Sequence, residues 1–327
     1  MSVYIRSIGA YVPEKRMTND ELAQIVDTSD EWIQSHTGIQ ARHLCDEKES
    51  TSDLAVKAAT LAMERAGVTP DDIDLVILAT ATPDFIGFPS TSSIVQDKLG
   101  LNKSGAFDLV AGCTGFVYGL ETARAMISAG SARNILLIGA ETLSRITNWK
   151  DRNTCVLFGD GSGAAVLSES PNPERGILDS ILGSEGKGAE HLVRRAGGSR
   201  EPFAEGKTPE EDLYIQMNGR QVYNFAVRVN TEIIKSLLER NKRGVEQLQW
   251  IVPHQANIRI IQAAANRLKM PIDKFYTNIH EYANTSAASI PIALNEMYEN
   301  DKLAEGDYIL LTGFGAGLTY GGNLLRW

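Results

Sequence analysis

Apolar positions along the chain alternate between two periods. Strands are predicted at 2–8, 75–80, 134–140, 250–253, 308–312 and 318–326, of which 75–80 and 134–140 are short, nearly unbroken apolar runs. Runs of that kind suit a sheet covered on both faces. Between them the apolar residues recur at helical spacing. Thr18-Asn-Asp-Glu21 has capping-box spacing and opens a short helix to about Val26. Further helices are predicted over 28–36, 52–66, 91–99, 217–240, 258–268 and 290–298, several stopped by glycine. Strand and helix alternating in this way indicate a layered α/β fold. Residues 183–212 break the rhythm with glycines, charges and prolines, as a flap or connector on the surface would. The pattern then restarts. We therefore expect two halves, 1–175 and 176–327, related by an internal duplication.

The stretch Asp108-Leu-Val-Ala-Gly-Cys-Thr-Gly-Phe116 stands out within this pattern. It predicts a short buried strand over 104–110 and a helix whose apolar face carries Phe116, Leu120, Ala123 and Ile127 up to Gly130. Cys113 then sits on the strand-to-helix turn, between Gly112 and Gly115. A thiol at a helix N-terminus faces unpaired N–H groups and the positive end of the dipole, both of which favour thiolate. Cys113 is the expected nucleophile. A second glycine-rich stretch, 155–167, lacks the Lys-Ser/Thr of a phosphate loop and leads into a strand. It reads as a glycine-kinked strand pair with Asp160 as a turn residue.

Composition narrows the function classes. The 327 residues are 43% hydrophobic and 22% charged, with a formal net charge of −9. No lysine/arginine run is present, which argues against a nucleic-acid partner. Cys45, Cys113 and Cys155 lie far apart without a CxxC, so neither a disulfide framework nor a metal site is expected. The first residues lack the shape of a signal peptide, and no apolar run approaches a membrane span. The cytoplasm is the expected compartment.

Cysteine chemistry needs partners that handle protons or polarise a carbonyl. Of the five histidines, His254 alone stands between Pro253 and a polar Gln-Ala-Asn. Asn284 precedes a helix in Asn-Thr-Ser-Ala-Ala-Ser, and Gly313-Phe-Gly-Ala-Gly317 can offer a backbone N–H to a substrate oxygen. In this order and at these separations, Gly-Cys-Thr-Gly-Phe, Pro-His-Gln-Ala-Asn, Asn-Thr-Ser-Ala-Ala-Ser and Gly-Phe-Gly-Ala-Gly resemble the β-ketoacyl-[acyl-carrier-protein] synthase III family. The resemblance covers essentially the whole chain, including Asp-Thr-Ser-Asp-Glu-Trp near the start.

That resemblance implies a thiolase-like fold: two duplicated α/β halves in a five-layer α-β-α-β-α arrangement, working as a homodimer. It implies a catalytic triad of Cys113, His254 and Asn284, with an oxyanion hole on the N–H groups of Cys113 and Ala316. Trp32 and Arg152 match residues that sandwich the adenine of coenzyme A, a fitting cation–π use of both. Thr28 and Asn257 match further coenzyme contacts, and His36 stands where an arginine near the coenzyme phosphates is common. Phe88 matches an aromatic closing the acyl pocket across the dimer interface. Arg259 and Arg267 match carrier-protein contacts, with Arg220 and Arg228 standing in for a basic residue where Asn224 lies. Ala283 and Ala316 replace frequent glycines.

The implied reaction is decarboxylative condensation of a short acyl-CoA primer, acetyl-CoA foremost, with malonyl-acyl-carrier protein, and needs no metal or redox cofactor. A biosynthetic thiolase would carry a second cysteine within 313–322, and an elongating synthase a second histidine in place of Asn284. A relative using a specialised or branched starter is the alternative. A non-catalytic binding module is disfavoured because every catalytic position is filled.

Overall fold

The computed structural model describes residues 2–327. The elements that position the site begin with β1 (Val3–Tyr11), α1 (Asp30–Thr37), α2 (Thr51–Ala66), β2 (Leu75–Ala79) and α3 (Thr91–Lys98). They continue with β3 (Gly105–Leu109), α4 (Gly115–Ser128), β4 (Asn134–Thr142) and β5 (Asp160–Glu169). After these come β6 (Gly176–Ser184), α5 (Gly219–Arg240), β7 (Leu248–Pro253) and α6 (Ile258–Leu268). The last are α7 (Ser289–Glu299), β8 (Tyr308–Gly315) and β9 (Thr319–Arg326).

One sheet has the order β1-β5-β4-β2-β3 and the other β7-β8-β9-β6. In the first, β1, β5 and β4 pair antiparallel, while β4, β2 and β3 run parallel. In the second, β7 and β8 are parallel, and β9 pairs antiparallel with both β8 and β6.

Side-chain alternation explains why the strands read as unbroken apolar runs. Ile77, Ile135, Leu137, Ala165 and Leu167 point to a core shared with α4 and α7. Val76, Leu78, Leu136, Ile138, Ala164 and Val166 point the other way, onto α2 and α3. In the second sheet Ile309 and Leu311 join the shared core, while Leu310, Phe314 and Leu324 face α5 and α6. The result is five layers: α2/α3, sheet, α4/α7, sheet, α5/α6. Each aliphatic side chain fully buried there contributes about 1.5–3 kcal/mol relative to exposure. This is the thiolase-like arrangement.

Three local expectations need correction. The strand at 104–110 is not buried: β3 is a sheet edge, and Val110 just beyond it is 80% exposed. The stretch 155–167 is not a strand pair. A short helix, Arg152–Cys155, ends there, and a single strand, β5, begins at Asp160. Asp160 is no turn residue but is wholly buried, accepting from Ser144 N at 2.8 Å and Cys45 N at 2.8 Å. Gly313 and Gly315 belong to β8, so the turn itself is confined to Ala316–Leu318. The 183–212 excursion is tied at its base by a ladder pairing Leu192–Val193 with Gln216–Met217.

Candidate active site

Cys113 lies in a tight turn, Gly112–Thr114, leading directly into α4. Two glycines let this turn meet the one at the end of β8. Gly112 has φ +54°, and a Cβ there would stand 2.9 Å from Ala316 N. A Cβ on Gly315 would stand 2.5 Å from Cys113 N. Only glycine at both positions lets the Cys113 and Ala316 backbones lie against each other. The two turns are drawn from opposite sheets. Their meeting point is the floor of a cavity.

That cavity, of about 230 Å³, is lined by Cys113, His254 and Asn284, with Phe314 beside them and Trp32, His36 and Asn257 further out. His254 follows β7 and is held from three sides. Its N–H donates to Thr312 O at 2.7 Å, its Nδ1 lies 2.7 Å from Ser289 Oγ, and Phe314 packs edge-on at 5.3 Å. Asn284 is clamped by backbone, donating to Leu157 O and accepting from Gly159 N. Its Oδ1 accepts from Ser286 N at 2.9 Å. Ala283 just before it is fully buried at φ 55°, ψ −154°, a conformation that glycine adopts freely and alanine does not.

Burial sets the protonation states. It pushes the Cys113 thiol up to about 12, with Ser286 hydrogen bonding pulling the other way and Glu141 adding to the rise. The expectation of a resting thiolate is therefore corrected: Cys113 rests as a thiol. Burial alone pushes His254 down to about 3, so its imidazole is neutral at working pH. Sequence reasoning missed Glu141, at the end of β4. Its carboxyl is wholly buried and accepts from Thr82 Oγ1 at 2.6 Å and Ala81 N at 3.1 Å. Burial raises it to about 7, against the hydrogen bonds of Thr82, Ser286, Ala81 and Ala287. An acidic residue closing a buried apolar run was the signal available for it. Glu141 thus lies in the Cys113 half, with Ser286 and Ala287 of the Asn284 loop favouring its charged form.

At the mouth, Trp32 is stacked on His36 at 4.3 Å between ring centres, and the Arg152 guanidinium lies 4.8 Å from the Trp32 ring. An aromatic ring held between Trp32 and Arg152 would need them about 7 Å apart, two van der Waals contacts, so a sandwich requires Arg152 to swing outward. Asn257 caps α6 by accepting from Arg259 N at 2.8 Å, and donates to His36 O at 3.0 Å. His36 Nδ1 donates to Trp32 O at 2.7 Å, so a neutral ring turns an acceptor, Nε2, outward. Thr28 Oγ1 is enclosed without a hydrogen-bond partner. Phe88 is 89% exposed and is not brought to the cavity of its own chain. Arg220, Arg259 and Arg267 are exposed on α5 and α6. Arg228 is engaged with Glu185 at 2.6 Å and Glu232 at 3.0 Å.

Residues 107–186 match the family model described as 3-oxoacyl-[acyl-carrier-protein] synthase III, and 238–327 match its C-terminal counterpart. The chain is 50% identical over 324 residues to β-ketoacyl-[acyl-carrier-protein] synthase III of Caldanaerobacter subterraneus, covering 99% of this chain and 97% of that one. The enzyme of the same name from Natranaerobius thermophilus is 46% identical, covering 99% and 98%. The crystal structure of 3-oxoacyl-[acyl-carrier-protein] synthase III from Aquifex aeolicus superposes with a TM-score of 0.91 at 43% identity, covering 99% and 100%. A priming β-ketosynthase of the R1128 polyketide pathway shares the fold at 0.91 but only 32% identity, covering 99% and 96%. The chain therefore belongs to the β-ketoacyl-[acyl-carrier-protein] synthase III family of condensing acyltransferases.

Proposed function

We propose how this chain carries out its family's reaction, condensation of an acyl-CoA primer with malonyl-acyl-carrier protein to initiate fatty acid synthesis. The observation that carries the reading is the convergence of Cys113, His254 and Asn284 on one cavity floored by two glycine-enabled turns. Cys113 Sγ attacks the primer thioester. The C–S bond to coenzyme A breaks, and the proton of the thiol ends on the coenzyme sulfur. The N–H groups of Cys113 and Ala316 bind the tetrahedral oxyanion, each worth on the order of 10²–10³ in rate.

Malonyl-carrier protein then enters. Its C–CO₂ bond breaks, and the electron pair passes to an enolate whose oxygen accepts from His254 Nε2–H and Asn284 Nδ2–H. The enolate carbon attacks the acyl carbonyl, and Cys113 leaves as thiolate to be reprotonated from solvent. Asparagine has no acid–base chemistry of its own, so polarisation is the role open to Asn284. No redox or metal cofactor enters this scheme.

Trp32, His36 and Asn257 line the cavity and would hold the coenzyme together with Arg152, which lies over Trp32, and Thr28, with His36 meeting a phosphate as a donor only when protonated. The carrier protein docks on Arg220, Arg259 and Arg267, exposed cations on an otherwise acidic chain. Two copies pair along β3, where Phe85, Ile86, Phe88, Phe107 and Val110 are left uncovered. Phe88 then closes the partner's acyl pocket and favours a short primer. No helix is long and apolar enough to cross a membrane; separately, we take the cytoplasm as the working compartment. The test is intact-protein mass spectrometry with a panel of acyl-CoAs, then malonyl-carrier protein. A single acetyl adduct on Cys113, discharged by the malonyl thioester, is expected. Preference for branched or long acyl groups would move the reading to a specialised starter, and no adduct from any thioester would overturn it.

A further inference from the structure

The loop that carries Asn284 runs into α7, whose first residue, Ser289, is 2% exposed. Its Oγ lies 2.7 Å from His254 Nδ1 and 3.4 Å from Gln255 N. A hydroxyl has one hydrogen to give and two lone pairs to receive. The Gln255 N–H can only donate, so it takes a lone pair of Ser289. The hydroxyl hydrogen is then available to a single acceptor, since among the described residues Ser289 Oγ has no other hydrogen-bond partner than these two.

A neutral imidazole carries one N–H, and the bond made by one ring nitrogen decides which nitrogen holds it. We propose that Ser289 is a positioning residue that donates to His254 Nδ1, fixing the Nε2–H tautomer so that the ring offers the cavity a donor rather than a base. This rests on the reading of His254 given above and sharpens it. With Nε2 protonated, His254 has no lone pair there to take the proton of Cys113, so its work falls in the decarboxylation step. Phe314, edge-on at an interplanar angle of 61°, hinders a ring flip that would exchange the two nitrogens.

The neighbouring residue Asn284 is set by the same logic. Its Oδ1 is occupied by Ser286 N–H at 2.9 Å, which leaves Nδ2 as the end with hydrogens to give. Two serines of one loop thus orient both polarising groups, Ser286 through its backbone and Ser289 through its hydroxyl.

The test reads the tautomer directly. Long-range ¹⁵N–¹H correlation spectra of the full chain with ¹⁵N-histidine should show His254 with a protonated Nε2 and an unprotonated, hydrogen-bonded Nδ1. In Ser289→Ala the two nitrogen shifts should move toward each other as the tautomers mix. Discharge of acyl-Cys113 by malonyl-carrier protein should fall roughly 5- to 10-fold, the worth of one hydrogen bond. Acylation by acyl-CoA should stay within about twofold.

A wild-type spectrum with the proton on Nδ1 overturns the proposal, whatever the variant does. So does a Ser289→Ala chain with an unmixed Nε2–H tautomer whose acylation and discharge fall together, because the hydroxyl would then serve packing alone. The spectrum needs no substrate. Failure of the unsubstituted chain to acylate would sink the proposed function instead, so the two failures are separable.

Discussion

The two halves repeat one pairing scheme. β1 with β5, β5 with β4 and β4 with β2 are matched by β6 with β9, β9 with β8 and β8 with β7, antiparallel, antiparallel and parallel in each case. The scheme parts at the edge. The first half adds the full strand β3, whereas the second adds a single parallel bridge, Ile251 with Phe275. Phe275 is 5% exposed, while Phe107 and Val110 of the first half are open. One edge is closed within the chain and the other is left open, where the proposed dimer would pair. Beyond each edge the chain turns back to open a central helix, with Cys113 before α4 and Asn284 before α7. The same place in the scheme carries Cys113 in one half and Asn284 in the other, with His254 added at the end of β7; in the proposed mechanism these are the nucleophile and two hydrogen-bond donors. On the proposed mechanism this difference divides the chemistry between the halves, acylation in the first and enolate stabilisation in the second.

The largest effect expected from breaking this division is at the nucleophile. Cys113→Ser should leave no acyl adduct by mass spectrometry and abolish condensation, while the fold, read by circular dichroism, persists. A readily acylated Cys113→Ser chain would place the nucleophile elsewhere.

Glu141 tests the join between the halves. The folded chain holds its proton up to about pH 7, while the unfolded chain releases it near the ordinary 4.5. Between these values the native state binds more protons, so this group lowers stability as pH rises through the window, by about 3 kcal/mol in all, and adds no slope above it. His254, held near 3 against an ordinary 6.5, acts in the opposite sense, costing stability as pH falls below that value. Denaturant melts of Glu141→Gln minus wild type should isolate the first term. A difference independent of pH would contradict the burial argument.

Arg152→Ala should weaken kcat/KM for acyl-CoA by roughly 5- to 10-fold, a cation–π contact of about 1 kcal/mol, and leave an acyl-pantetheine substrate unchanged. Equal losses on both substrates would remove Arg152 from the coenzyme site. The smallest effect belongs to Ala283→Gly, which relieves a backbone conformation costing alanine about 1–3 kcal/mol but removes a buried methyl and frees the unfolded chain. A net gain of about 1 kcal/mol in a thermal melt is expected, and a loss would mean the methyl matters more than the strain.

The strands and helices were legible because the layered fold buries both faces of each sheet, which writes itself as unbroken apolar runs such as Leu75–Ala79. The Cys113 turn was legible because close approach demands glycine, and Gly112 and Gly315 supply it. Protonation was not. A turn at a helix start argues for thiolate, but walls contributed by residues as distant as Phe314 desolvate Cys113 and drive it the other way. Edge exposure was equally hidden, since only the sheet order shows that nothing in the chain covers β3. Glu141 meets Thr82, and Ser289 meets His254, across segments far apart in sequence. The stacking of Trp32 on His36 is set within α1, yet neither residue type announces it.

The division of labour is tested most directly by following acylation and discharge separately in Asn284→Ala. Mass spectrometry at short times after mixing with acetyl-CoA, and again after adding malonyl-carrier protein, gives both rates on one sample. We predict acylation within about threefold of wild type and an acyl-enzyme that persists, its discharge slowed on the order of 10²-fold. Equal slowing of the two steps would contradict the account.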